Sequence, residues 1–283
     1  MSSKIEIVST VEELRRRISS WRKKGFSIGL VPTMGALHEG HFSLVKKSIN
    51  TTDRTITTIF INPKQFGSNE DLTIYPSDEV GDVKALDAQG VDLLFAPGVE
   101  EMYSVDFVTE ISVPGISDAM EGVFRPGFFM GVATVVAKLL IQSLPDQAFF
   151  GEKDLQQLCV IRRMVTDLDI PVEIIGCPIV RESDGLALSS RNVYLSEDER
   201  TNAVALYEVL NEISQKVLNE KYITKSIEEA KIKLLDSGFS KVDYLAVCNT
   251  QKFTETDYLS APAHVIGAAW IGETRLIDNL RIC

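Results

Sequence analysis

Cysteine is scarce in this sequence and badly placed for metal. Cys159, Cys177, Cys248 and Cys283 are scattered, and none forms a CxxC pair. Structural zinc wants closely spaced ligand pairs, so these residues point to no zinc site. Cys159 falls in an apolar helical pattern and Cys177 closes an apolar strand-like run, which reads as buried thiols in a reducing compartment. Basic charge is short as well: 29 Lys and Arg face 40 Asp and Glu, for a net charge of −11. That balance argues against nucleic acid as the main partner, which wants a basic surface. It leaves room for a small anion, because a few cations in a cleft outweigh the global charge locally. Long apolar runs are missing too. Val132–Leu140 is short and interrupted by Lys138, far from the roughly 20 apolar residues of a membrane helix. Met1–Val8 carries Lys4 and Glu6 and has no apolar stretch, so no secretory leader is expected and the cytoplasm is the expected compartment. There is no internal repeat, no low-complexity segment and no linker rich in Pro, Gly or Ser.

What is present suits a soluble globular protein: 283 residues with 45% hydrophobic content can bury one large core or two unequal ones. Val11, Leu14, Ile18 and Trp21 recur at helical spacing, so Val11–Lys24 reads as a helix. Ser27–Val31, Thr55–Ile61, Val91–Phe95, Gln147–Phe150 and Val172–Gly176 read as strands, with helices expected at His41–Ile49, Glu79–Ala88, Thr134–Gln142 and Leu155–Leu168. This alternation predicts βαβ units and a parallel sheet. After about Val180 the pattern changes to long helical stretches (Glu197–Asn219, Ser226–Leu235) and two strand-like runs (Val242–Cys248, Val265–Trp270). A smaller α+β domain is expected there.

Four segments carry candidate chemistry. Pro32-Thr33-Met34-Gly35-Ala36-Leu37-His38-Glu39-Gly40-His41 lies between a strand and a helix start, where open α/β sheets bind ligands. Gly35 and Gly40 have P-loop spacing, but His41-Phe42 stands where Lys-Ser/Thr is required, which excludes the usual phosphate loop. His38 and His41 are one residue too close for an HExxH zinc pair. Imidazole donors at a helix start can meet phosphate oxygens; a plain Gly-containing loop with two hydrogen-bonded histidines is the alternative. Two of the chain's three histidines in one loop favour the functional reading. Asn62-Pro63-Lys64-Gln65 leaves a second strand, and Asn62 and Gln65 suit recognition of hydroxyl or carboxylate; taken alone, a turn closed by Asn-Pro is the stronger reading. Gly151-Glu152-Lys153-Asp154 opens a helix whose positive dipole end disfavours a lysine, which hints at an anion near Lys153; ordinary first-turn charge is the alternative. Ser189-Ser190-Arg191, after Asp184-Gly185, combines two hydroxyls with a guanidinium in a compact phosphate-binding set, or caps a loop at a helix entrance.

In these residues the chain resembles the pantothenate synthetase family, within the nucleotidyltransferase superfamily that includes class I aminoacyl-tRNA synthetases. The matching stretches are Pro32–His41, Phe60–Phe66, Phe150–Leu158, Asp184–Asn192 and Thr274–Asn279, in order along nearly the whole chain. The resemblance implies a Rossmann-like domain over residues 1–179, a smaller C-terminal lid over 180–283, and a homodimer. It implies a ligase that joins pantoate to β-alanine with MgATP through a pantoyl-adenylate, releasing pyrophosphate and then AMP. Carried over by position, Pro32 to His41 line the ATP site, with His38 and His41 catalytic and His41 the donor to the leaving phosphates. Gly151, Glu152, Lys153 and Asp154 touch the nucleotide, with Lys153 on the phosphates. Val180, Leu188, Ser189, Ser190 and Arg191 complete the ATP site. Met34, Asn62, Gln65 and Gln157 are the implied substrate contacts, and no metal ligand is named. The chain departs from the family in two places: Arg125-Pro126-Gly127-Phe128-Phe129 has Phe128 where the family has histidine, and Tyr75-Pro76-Ser77 has Ser77 where it has arginine. Restoring the imidazole by Phe128→His is expected to raise kcat/KM. Transfer of AMP to a phosphate-bearing acceptor and a catalytically silent ligand-binding relative are the competing functions.

Overall fold

A computed structural model describes residues 5–67, 76–220, 223–251, 253–256 and 262–282. In chain order the elements are β1 (Glu6–Val8), α1 (Val11–Arg22), β2 (Ile28–Thr33), α2 (Glu39–Thr51), β3 (Arg54–Ile59), α3 (Glu79–Gln89), β4 (Leu93–Phe95), α4 (Val99–Met102), α5 (Glu121–Phe124), α6 (Phe128–Ser143), β5 (Gln147–Gly151), α7 (Leu155–Asp167) and β6 (Glu173–Cys177). They continue with α8 (Glu197–Asn202), α9 (Ala205–Glu220), α10 (Ile223–Asp236), β7 (Lys241–Asn249), β8 (Thr254–Glu255), β9 (Ala263–Ile271) and β10 (Thr274–Arg281). The chain divides into two compact units. The first contains Met1–Val113, Arg125–Glu152 and Val160–Pro178; the second contains Pro114–Phe124, Lys153–Cys159 and Ile179–Cys283.

The first unit is built on a parallel sheet ordered β1-β4-β3-β2-β5-β6. Strand alternation turns Val31 toward Leu44 and Val45 of α2, while Ile28 and Leu30 are fully buried on the opposite face. A strand buried on both faces reads as a continuous apolar run, as Ile28–Val31 does. From β2 the chain moves to β3 on one side, and β5 lies on the other side. The order therefore reverses between β2 and β5. In open α/β sheets that reversal opens the ligand crevice at the strands' carboxyl ends. Thr33 ends β2 and Gly151 ends β5, so two of the four candidate segments begin at this point.

The second unit is an antiparallel sheet ordered β10-β9-β7-β8. Alternation along β7 sorts its side chains into two cores. Leu245 and Val247 join Leu206, Leu210, Ile213 and Val265 under α9 and α10. Ala246 and Cys248 face the other way, with Leu155, Phe253 and Ile266, and Ile116 and Met120 pack on them. That second core explains why 114–124 and 153–159, read from sequence as part of residues 1–179, cluster with the C-terminal segment. The stretch expected as one helix, Glu197–Asn219, is broken at Ala203-Val204. Strands β1, β10 and the two-residue β8 were not expected. β1 is only three residues long, and β10 mixes charged and apolar residues without a clean run.

Candidate active site

The loop after β2 is held by two sets of bonds, from the Thr33 hydroxyl and the Asp82 carboxylate. Thr33 Oγ1 donates to the Thr58 carbonyl at 2.6 Å and accepts the Gly35 N–H at 3.2 Å. The Asp82 carboxylate, from α3, accepts the Ala36 and Leu37 N–H groups at 2.8 Å each. Asp82 is buried, and burial raises its pKa while those two amides pull it back down. Gly35 has φ +86°, a conformation that favours glycine, and a Cβ there would crowd Asp82 Oδ2 at 3.1 Å. Leu37 packs against the core, and Glu39 pairs with Lys46 at 3.6 Å.

The two histidines cap α2 reciprocally. His38 Nδ1 accepts the Gly40 N–H at 3.1 Å, and His41 Nδ1 accepts the His38 N–H at 3.3 Å. This is a capping box in which imidazole nitrogens replace the usual hydroxyl and carboxylate. A ring nitrogen that accepts a backbone N–H carries no proton. Each neutral ring therefore keeps its proton on Nε2. The rings lie 4.2 Å apart, centroid to centroid, at 46°. The result is a pair of Nε2–H donors beside the positive end of a 13-residue helix, a setting made for anions.

After β3, Asn62 caps the short turn Pro63–Gln65. Gln65 Nε2 donates to Met34 Sδ at 2.9 Å, which brings Met34 and Gln65 together. Asn62 is 1% exposed, and its amide is engaged by protein groups on both ends, so the structure gives it no open face.

In the second unit, Lys153 Nζ donates to the Leu188 carbonyl at 3.0 Å. Burial pushes the Lys153 pKa down, Asp154 and Asp278 oppose this, and Arg191 and Arg181 add to it. The Leu188 N–H in turn donates to the Val180 carbonyl at 3.0 Å, closing a small hairpin. Ser189 Oγ accepts the Arg191 N–H at 3.2 Å at the start of the turn Ser190–Tyr194. Asp154 is exposed. Of the two adjacent glutamines, Gln156 is buried and ties the segment 116–121 through Ile116, Ala119 and Glu121; Gln157, half-buried, is not part of that tie.

The sequence reading missed the residues that hold these segments. Asp278 binds Arg181 through both carboxylate oxygens, at 2.6 and 2.8 Å, and Asn279 donates to the Lys153 carbonyl at 3.0 Å. Both lie in the recognised stretch Thr274–Asn279, yet a partner about a hundred residues away leaves no local pattern. Asp82 and Tyr103 are missed for the same reason.

A sequence model of the pantoate-beta-alanine ligase family matches residues 6–281. The chain belongs to the pantoate–β-alanine ligase family. It is 49% identical to a pantothenate synthetase from Chelativorans sp. (strain BNC1), over 98% of each chain. It is 48% identical to one from Paramagnetospirillum magneticum, over 100% of this chain and 99% of that one. Its fold matches a crystal structure of pantothenate synthetase from Thermus thermophilus with a TM-score of 0.92 and 44% identity, over 98% and 99% of the two chains. A pantoate–β-alanine ligase from Francisella tularensis, solved with β,γ-ATP and β-alanine, matches with a TM-score of 0.84 and 35% identity over 98% of each chain.

Against this family, the phenylalanine at position 128 has a local reason. The Arg125 guanidinium stacks 3.7 Å from the Phe128 ring centroid, and Phe129 packs edge-on at 4.9 Å. The phenyl face thus holds a cation that an imidazole would hold less well, a contact worth about 0.5–1 kcal/mol at a partly exposed place. This contact weighs against the expectation that Phe128→His raises kcat/KM, which steady-state assays test. Phe128→His is expected to lower Tm by the equivalent of about 0.5–1 kcal/mol, the worth of that contact. A kcat/KM above the parent at unchanged Tm would show that the stack has no such role. Ser77 is exposed, just before α3, and Tyr75 lies outside the described residues.

Proposed function

We propose that this chain condenses pantoate with β-alanine at the expense of MgATP, through a pantoyl-adenylate. The observation that carries the reading is the reciprocal histidine cap at the carboxyl end of β2, which sets two imidazole rings beside a helix N-terminus. In the first step a pantoate carboxylate oxygen forms a bond to the α-phosphorus, and the bond from that phosphorus to pyrophosphate breaks. In the second, the β-alanine nitrogen attacks the acyl carbon, the bond to AMP breaks, and the amine loses a proton. Neither step needs a protein nucleophile. Both need charge and donors placed on the phosphate oxygens before the reaction begins.

The roles divide accordingly. His41 and His38 donate to phosphate oxygens, with Met34, Gly35 and Gly40 at the nucleotide. Lys153, Ser189, Ser190 and Arg191 supply further donors and positive charge, and Gly151, Glu152, Asp154, Val180 and Leu188 are further nucleotide contacts. Gln65 and Gln157 hold the hydroxy acid, and Gln65 also meets β-alanine. Mg²⁺ arrives with ATP. Among the described residues no group of three or more His, Cys, Asp or Glu is gathered to hold a metal. A homodimer in the cytoplasm completes the reading, and among the described residues no helix is long and apolar enough to cross a membrane.

Isotope exchange tests it. Exchange of labelled pyrophosphate into ATP is expected to require pantoate and Mg²⁺ and to proceed without β-alanine. Exchange that ignores pantoate, or none at all from a folded sample, would overturn the adenylate.

A further inference from the structure

The amide of Gln65 can face two ways, and only one offers an N–H to an oxygen of the substrate. What decides between them lies one and two residues deeper. Asn62 cannot be turned around. Its Oδ1 accepts the Lys64 backbone N–H at 3.3 Å, and its Nδ2 donates to the Gly131 carbonyl at 3.1 Å. A backbone N–H only donates and a backbone carbonyl only accepts, so both ends of this amide are assigned by the main chain. The second hydrogen on Nδ2 goes to Gln65 Oε1 at 3.1 Å, which places the Gln65 NH₂ at the other end, on the Met34 sulfur. A thioether is a weak acceptor, and it meets at most one of the two N–H bonds. Gln65 is 8% exposed, so a stray flip would bury its carbonyl away from Asn62's donor and leave that donor without a partner.

The remaining lone pair of Asn62 Oδ1 takes the Tyr103 hydroxyl, which donates at 2.7 Å, the shortest bond Asn62 makes. Tyr103 follows α4 and is buried, with Phe60 at 6.1 Å and Phe107 edge-on at 5.0 Å holding its ring. Burial also raises its pKa, so the hydroxyl stays a donor. The helix carrying Gly131 comes close enough to receive Nδ2 because residue 131 has no Cβ, which would overlap the Lys64 carbonyl. All these groups belong to the first unit.

We infer that Tyr103 is a positioning residue: its hydroxyl holds Asn62, and Asn62 orients the Gln65 amide so that an N–H points to an oxygen acceptor of the hydroxy-acid or amino-acid substrate. The inference rests on the proposed role of Gln65 as a substrate ligand. It also makes Asn62 an orienting group whose amide is used up inside the protein, in place of the direct substrate contact expected from sequence.

Tyr103→Phe removes the hydroxyl and keeps the ring contacts, so a folded protein is expected, checked by its Tm. The prediction is a rise in KM for pantoate or a fall in kcat/KM for pantoate of about 10-fold, in the range of one lost hydrogen bond to a polar partner, with KM for ATP unchanged. The deciding measurement is a double-mutant cycle with Gln65→Ala. If Tyr103 acts through Gln65, the Tyr103→Phe/Gln65→Ala protein is no worse than Gln65→Ala alone. Equal losses from Tyr103→Phe in both backgrounds would mean ordinary packing and overturn the inference. No loss from Tyr103→Phe, with a large loss from Gln65→Ala, would also overturn it while leaving Gln65 as a ligand. No loss from Gln65→Ala itself would instead remove the substrate role on which the inference rests.

Discussion

His41→Ala is expected to slow single-turnover formation of pantoyl-adenylate by about 100-fold or more. A preorganised donor to charge that develops in the transition state contributes about 3–4 kcal/mol in water-excluded sites, which is two to three orders of magnitude in rate. The geometry gives His41 a second job, however. Its Nδ1 accepts the His38 N–H and so closes the cap of α2. Loss of a cap costs about 0.5–2 kcal/mol of stability, and a loosened helix start would itself disturb the donors. The two jobs are separable by His41→Gln. Glutamine is a residue that an ordinary capping box carries at this position, and its Oε1 can accept the His38 N–H. Its NH₂ group sits on a flexible chain and is not fixed where the rigid imidazole ring holds Nε2. His41→Gln is therefore expected to recover most of the Tm lost in His41→Ala and little of the rate. If His41→Gln restores both, then the cap is the whole contribution of His41, and the donor role is wrong.

That separation also marks what could be read from the sequence. The strand and helix alternation, the position of Pro32–His41 at a strand end, and the parallel sheet follow from periodicity and from Gly and Pro placement, which are local signals. The spacing of His38 and His41 put the two rings on one side of a helical turn, and the rings do stand together. Their tautomer could not be read, because it depends on which backbone N–H each Nδ1 accepts. Helix α6 was expected only from Thr134, yet it begins at Phe128. Phe128-Phe129-Met130-Gly131 has no helical period, and the start is decided by Gly127 at φ +83° and by the bond of Asn62 to the Gly131 carbonyl. The supports of the site escaped in the same way. Asp82 binds Ala36 across 46 residues, Tyr103 binds Asn62 across 41, and Asp278 binds Arg181 across 97. A buried carboxylate and a buried phenol with distant partners look, in sequence, like any other Asp or Tyr.

Lys153→Ala is expected to lower the rate of adenylate formation by about 100-fold or more, and the intact lysine to leave a pH signature that identifies it. Burial pushes the Lys153 pKa below that of an ordinary lysine, near about 10.4. Only the ammonium can meet phosphate. The alkaline fall in kcat/KM, which reports the free enzyme, should therefore begin below the ordinary lysine range. Lys153→Arg keeps a charge that does not titrate there, so this alkaline limb should disappear even if the rate is lower throughout. Stability should move the other way. Between the folded and the unfolded pKa the unfolded chain binds the extra proton, so stability rises with pH across that window. Below the folded pKa the lysine is charged in both states, and the folded state carries the desolvation cost that Asp154 and Asp278 only partly offset. Denaturant midpoints measured as the pH rises toward the ordinary lysine pKa of about 10.4 should climb more steeply in the parent than in Lys153→Met, which has nothing to titrate. Activity that falls while stability rises, both lost in the variants, is a pattern that an exposed surface lysine cannot produce. Parallel pH profiles for parent, Lys153→Arg and Lys153→Met would mean that Lys153 titrates like any surface lysine and does not set the alkaline limb.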